Sequence, residues 1–201
     1  MFVQTALAAG FDDPVFDSQK TFRTVMDAMA RPGSIKELAA RVRPPAPLNG
    51  AAAALLLTLA DFETPVWFDA PLTEAEGVIP WLRFHTGAPI VTEPIKARFA
   101  VVSDGGSLPS LARFSPGSQE YPDESTTVII QVAEIREASG PILTGPGIET
   151  TARMQPSPLN DLFWSQAIDN GLLFPRGLDV IFAAPEALAA LPRSTRIERQ
   201  T

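Results

Sequence analysis

The chain has 201 residues, 45% of them hydrophobic, enough to build a real core in one domain or two small ones. It has no cysteine, which removes disulfides, thiolate nucleophiles, iron–sulfur clusters and cysteine-based zinc sites. A net charge of −7 argues against a nucleic-acid binder or a basic membrane-binding face, and one histidine with scattered carboxylates offers no metal-ligand spacing.

In chain order, Asp17 is placed to cap a helix starting near Ser18, with Phe22, Val25, Met26 and Met29 on one face and "RPG" (31–33) ending it. A second helix is predicted from Asn49 through "GAAAALLLTLA" (50–60), apolar all round and therefore buried. That run is about half of the ~20 residues needed to cross a bilayer. "TPVWFD" (64–69) reads as a strand, and residues 74–85 as a weaker helix confined by Pro80 to its second half. "ARFAVVS" (97–103) and "TTVIIQVAEI" (126–135) read as strands, the latter central, and "PILTG" (141–145) as a shorter one. A helix follows over 158–171, then a strand (178–184), a short helix "PEALAAL" (185–191) and a final strand "STRIE" (194–198). The expected fold class is α/β, a mixed sheet covered by helices, in a single domain over 1–201 without repeats or linkers. Residues 103–125 look loose, either a functional excursion or a poorly ordered segment.

The lone histidine, His85, sits in "RFHTGAP" (83–89), where Gly87 can cap a helix and Pro89 forbids its continuation. A histidine in a last helical turn meets the unpaired carbonyls favourably, which is a sufficient structural reason for it. The functional alternative pairs Arg83 with His85 at an anion, and requires the chain to leave helical geometry near Phe84. "LTGPGIE" (143–149) can turn its backbone N–H groups toward an anion, although it matches neither a dinucleotide fingerprint nor a P-loop. Asp61, after the apolar helix, needs a partner: an Asx-turn near Thr64 or a buried arginine. Arg176 in "FPRGLD" (174–179), read as a type I turn, and Arg193 in "LPRST" (191–195) reach an anion or lie in solvent. Ser194 and Thr195 lack a nucleophile-elbow context. Thirteen of the 16 basic residues are arginine, which suits phosphate or carboxylate but is equally explained by base composition.

Taken together and in order, "FRTVMDAMARPG", "LLLTLADFETPVW", "LRFHTGAP", "TTVIIQVAEI", "LTGPGIE", "FPRGLDVIF" and "LPRSTRIE" resemble the PhnH family, the H subunit of the bacterial carbon–phosphorus lyase system. The resemblance runs from about Phe11 to Glu198 and does not extend over residues 103–123. It implies a fold similar to the large domain of pyridoxal-phosphate-dependent transferases, and a homodimer in isolation. It also implies a place in an assembly with the G, I and J subunits. That assembly forms α-D-ribose 1-phosphonate 5-triphosphate from ATP and an alkylphosphonate, releasing adenine. None of Lys20, Lys36 or Lys96 has a pocket context for a Schiff base, so no pyridoxal phosphate is expected.

Under that resemblance, Arg83, His85 and Thr86, with Gly145, Gly147, Arg176 and Arg193, form the candidate anion- or substrate-binding set, and no catalytic residue is assigned. The same residues serve equally to organise a subunit contact. Three readings follow: an assembly subunit without a complete catalytic set, a stand-alone phosphonate- or phosphate-binding enzyme, and a purely architectural subunit. The first 19 residues carry no basic side chain and so lack the charged start of a signal peptide; a cytoplasmic location is expected.

Overall fold

The computed structural model describes residues 8–39 and 41–198. Helix α1 (Pro14–Ala30) starts ahead of the expected Ser18 because Asp13, not Asp17, caps it. The Asp13 carboxylate accepts from the Phe16 N–H, Asp17 reaches back to the Asp13 N–H, and Pro14 occupies the first turn, where its missing donor costs nothing. Strand β1 (Lys36–Glu37) follows. Helix α2 (Gly50–Leu59) begins as expected after Asn49, whose side chain accepts from the Ala52 N–H, and residues 51–56 are buried.

Strands β2 (Val66–Phe68), β3 (Phe99–Val102) and β4 (Thr127–Gln131) lie where the β-branched and aromatic runs predicted. Between β2 and β3 come a short helix, α3 (Ala70–Glu74), and α4 (Val78–Thr86), whose first turn accommodates Pro80. The expected strand over 126–135 breaks after Gln131. Glu134 opens β5 (Glu134–Thr144), which absorbs the "PILTG" strand and pairs with β6 (Ala152–Ser157), an element with no sequence signal.

Two expected helices change. The one over 158–171 is α5 (Phe163–Gly171), because the Asn160 N–H is committed to the Gly105 carbonyl and its side chain to the Leu162 N–H. "PEALAAL" forms no helix: after β7 (Asp179–Ala184) the chain reverses through Pro185 and Glu186 into β8 (Ala187–Leu191). A seven-residue helix has little stability of its own, and here alternate side chains fill two cores. Leu188 and Ala190 face one, Ala189 and Leu191 the other. The last strand is β9 (Arg196–Glu198).

The main sheet has the order β1-β8-β7-β4-β3-β2, with β2, β3, β4 and β7 parallel and β8 antiparallel to both its neighbours. Its alternation separates two cores. Val66, Phe68, Val101, Ile129 and Ile181 face α1, α2 and α4, while Trp67, Val102, Ile130, Val180 and Phe182 face the other way. That second face is covered by a three-stranded sheet, β6-β5-β9, by α5, and by the excursion over 103–125. The excursion is ordered: Leu108, Leu111 and Phe114 are buried, and Phe114 meets Trp67 edge-on at 5.4 Å. The α/β class and mixed sheet are therefore as expected, but on the second face only α5 is an α-helix, and the three-stranded sheet and the excursion cover the rest.

The carboxyl ends of the four parallel strands are tied by side chains. Gln131, ending β4, accepts from the Asn49 N–H and donates to the Pro47 and Ser103 carbonyls. Asn49 donates to Ala183 at the end of β7, and Asp69, after β2, accepts from both the N–H and the hydroxyl of Ser103 at 2.7 Å. Replacing Gln131 with Leu leaves the Asn49 N–H and two carbonyls unpaired in a buried setting. It should lower stability by about 2–4 kcal/mol, read as a shift of the urea midpoint at constant m.

Candidate functional site

Residues 83–86 form the last turn of α4. Gly87, at φ 72°, closes it by donating its N–H to the Arg83 carbonyl. Within that turn the three candidates diverge. Arg83 is exposed, and none of the described hydrogen bonds or ion pairs uses its guanidinium. Thr86 donates to the Leu82 carbonyl and accepts from the Ala88 N–H, finishing the helix. His85 is half-buried, with Nε2 3.1 Å from the Ala8 carbonyl oxygen, which also accepts from Trp81 Nε1–H at 2.9 Å. Its ring lies 5.0 Å from that of Trp81 and 5.1 Å from that of Phe84. A Cβ on Gly10 would come within 3.1 Å of it. In this arrangement His85 fastens residues 8–10 onto α4, and none of the described hydrogen bonds or ring contacts joins it to Arg83.

The other candidates lie beyond the opposite face of the main sheet. The "TGPG" turn is closed by the Ile148 N–H on the Gly145 carbonyl. A Cβ on Gly147, at φ 81°, would fall 1.9 Å from the Ala30 carbonyl oxygen at the end of α1, and one on Gly145 would fall 3.0 Å from the Ser194 carbonyl oxygen. Both glycines thus seat neighbouring backbone. Arg193 embraces Asp179 through Nη2 (2.7 Å) and Nε (3.3 Å), while its own backbone N–H donates to the same carboxylate. Its Nη1 reaches the Pro122 carbonyl, and the Gly177 N–H donates to Pro116. Arg193 and the 174–177 loop therefore both grip the 103–125 excursion. That loop is closed from Leu173 to Arg176 with a cis Phe174–Pro175 bond, one residue earlier than the predicted turn, and Arg176 Nε is buried without a partner among the described residues.

These segments border a cleft of about 400 Å³ between α5 and β9, lined by Pro146, Ile168, Leu172, Phe174, Arg193 and Arg196 among others. Among the described residues no acidic side chain lines it. Arg193 is neutralised by Asp179, which leaves Arg196 as the uncompensated cation, since none of the described ion pairs or hydrogen bonds uses its side chain. Asp61 is solvent-exposed in an Asx-turn, without an arginine. Its carboxyl is held below the usual value by the Thr64 hydroxyl first and the Glu63 N–H second. Because its folded value is depressed, its small contribution is complete above the ordinary aspartate range and is lost as the pH falls through the folded value.

Gln131, Asp69 and Ser103 escaped the sequence reading as linking residues, and Asn49 was read only as the start of α2. The available signals were a glutamine ending the β-branched "TTVII" and an aspartate directly after "VWF". Among the described residues no group of three or more His, Asp or Glu side chains is placed to hold a metal ion, and no helix is long and apolar enough to cross a membrane.

Fold and cleft together define a layered α/β protein whose strand ends are filled by its own polar side chains and whose outer cleft is arginine-floored. Residues 9–198 match the family model described as "Bacterial phosphonate metabolism protein (PhnH)", and the chain belongs to that family. It is 40% identical, over the full length of both chains, to a Rhizobium meliloti (strain 1021) protein named alpha-D-ribose 1-methylphosphonate 5-triphosphate synthase subunit PhnH. It is 30% identical over 179 residues, 89% of this chain and 85% of the relative, to "Putative C-P lyase subunit protein HtxG" of Stutzerimonas stutzeri.

Two pairs of substitutions separate packing from chemistry at the candidate residues. Gly147→Ala should cost roughly 2–4 kcal/mol in chemical denaturation, through both the clash and the positive φ, whereas Gly106→Ala, with no clashing neighbour and no positive φ, should stay within about 1 kcal/mol of wild type. His85→Ala should accelerate amide exchange at residues 8–11 and lower stability by about 1 kcal/mol, while Arg83→Ala changes neither.

Proposed function

We propose that this chain is a subunit of the carbon–phosphorus lyase assembly, acting with G, I and J subunits. In that role it contributes to forming an α-D-ribose 1-alkylphosphonate 5-triphosphate from ATP and an alkylphosphonate, with adenine as the leaving group. The observation that carries this reading is the full-length 40% identity to a synthase subunit. The geometry agrees with a contributing rather than a self-sufficient role: neither the cleft nor the strand ends gather a nucleophile, a base and an orienting group. A homodimer in isolation and a cytoplasmic location complete the proposal.

The parallel run β2-β3-β4-β7 with an antiparallel neighbour supports kinship with the large domain of pyridoxal-phosphate-dependent transferases. The residues present do not fit that cofactor. In open α/β sheets a ligand sits outside the carboxyl ends of the strands, and here Asn49, Gln131, Ser103 and Asp69 bond one another across that place. No lysine is near it by bonding: Lys36 pairs with Asp27, Lys96 with Glu93, and Lys20 is exposed on α1.

A second reading, anion binding at Arg83, is favoured only by that guanidinium having no partner among the described residues. It predicts phosphonate binding to the isolated chain that Arg83→Ala abolishes in calorimetry. The main proposal is tested by adenine release from ATP and methylphosphonate in a mixture of reconstituted G, I and J subunits. Release should depend on adding this chain, and the chain alone should release none. Robust release by the chain alone, or full activity without it, would refute the proposal.

A further inference from the structure

The apolar side chains bordering the α5–β9 cleft are its most exposed ones. Leu172 is 80% and Phe174 61% exposed, and Leu173 between them is partly so. A small molecule seated in about 400 Å³ would leave that rim in water, whereas a polypeptide lying across it would cover rim and cleft together. Below the rim, Ile168 and Pro146 supply an apolar wall and Arg196 a cation that has no ion-pair partner among the described residues, which also place no acidic side chain in the lining. We infer that this cleft docks a segment of a partner subunit that inserts an apolar side chain beside a carboxylate. The inference rests on the assembly reading above and specifies the surface.

Charge decides against a second copy of the chain as the occupant. In a two-fold contact the patch on the axis faces itself, which sets Arg196 against Arg196 with no acidic lining residue to separate them. Other exposed apolar groups compete less well. Val15, Phe22 and Met26 form a stripe on the outer side of α1, and Phe62 and Phe84 lie near the end of α4, but none of these lines the cleft or stands beside its cation.

The test measures binding of the full chain to the purified G–I–J subcomplex by biolayer interferometry. Leu172→Glu, Phe174→Ser and Arg196→Glu should each weaken binding about tenfold or more, as expected for hot-spot positions, and Val15→Ser/Phe22→Ser should not. Because Leu172, Phe174 and Arg196 are exposed, these variants should melt within a few degrees of wild type, and Arg196→Lys should retain most of the affinity. Unchanged binding by the three cleft variants would overturn the inference while leaving the assembly reading intact. Failure of wild type to bind would overturn both. Two further results would also overturn it: loss of a homodimer in size-exclusion with subcomplex binding intact, which makes a second copy the occupant, or Arg196-dependent calorimetric binding of ATP or methylphosphonate by the free chain with assembly unaffected.

Discussion

Gln131 closes the central strand β4 with a side chain whose hydrogen bonds reach Asn49 and Pro47, 82 and 84 positions away in sequence. Around it, Asn49 carries the connection to Ala183 on β7, and Ser103 carries it through Asp69 to the end of β2. One buried amide thus holds the carboxyl ends of four parallel strands in register with the start of α2. Such a network is stiff when every donor and acceptor is paired and costly when one is removed. It also has a functional consequence. The place where an open α/β sheet usually receives a ligand is bridged by these side chains, and the proposed docking surface accordingly lies on the periphery.

The periphery is organised by a second polar device, the Arg193–Asp179 pair, both of whose side chains are mostly buried. Arg193 leads into β9, Asp179 opens β7, and the same guanidinium reaches Pro122 in the long excursion. Removing either partner would strand a charge at the junction of the two sheets. With Gly145 seated against Ser194, this junction sets the position of β9 relative to α5, and hence the width of the cleft between them. A family of assembly subunits and a protein whose exposed apolar rim borders an arginine describe the same molecule from two sides.

Much of the main sheet was legible because β-branched runs such as "TTVII" and "LDVIF" have no competing reading. The cap at Asn49 and the glycine at 87 were legible as well, since each answers a local backbone need. What failed was long-range. "PEALAAL" has helical propensity, yet its alternate residues serve two cores that exist only once the sheet is assembled. β6 has no distinctive pattern because its partner, β5, supplies the pairing. The candidate set drawn from "RFHT", "TGPG" and the two arginine turns mixed residues from opposite sides of the sheet, since family motifs mark position along the chain and not convergence in space. His85 shows why: its histidine-specific contact is to the carbonyl of Ala8, 77 residues earlier.

Hydrogen exchange on the free chain, repeated after adding ATP with methylphosphonate and then the G–I–J subcomplex, tests the central claim that strand ends are self-filled and the cleft is the surface on offer. The account predicts that the amides of Asn49, Asp69 and Ser103 are slow from the outset and indifferent to the small molecules, and that protection appears at 172–174 and 193–198 only with the subcomplex. Fast exchange at Asn49, Asp69 and Ser103 that slows when ATP and methylphosphonate are added would contradict it, and would put the working site back at the ends of the strands.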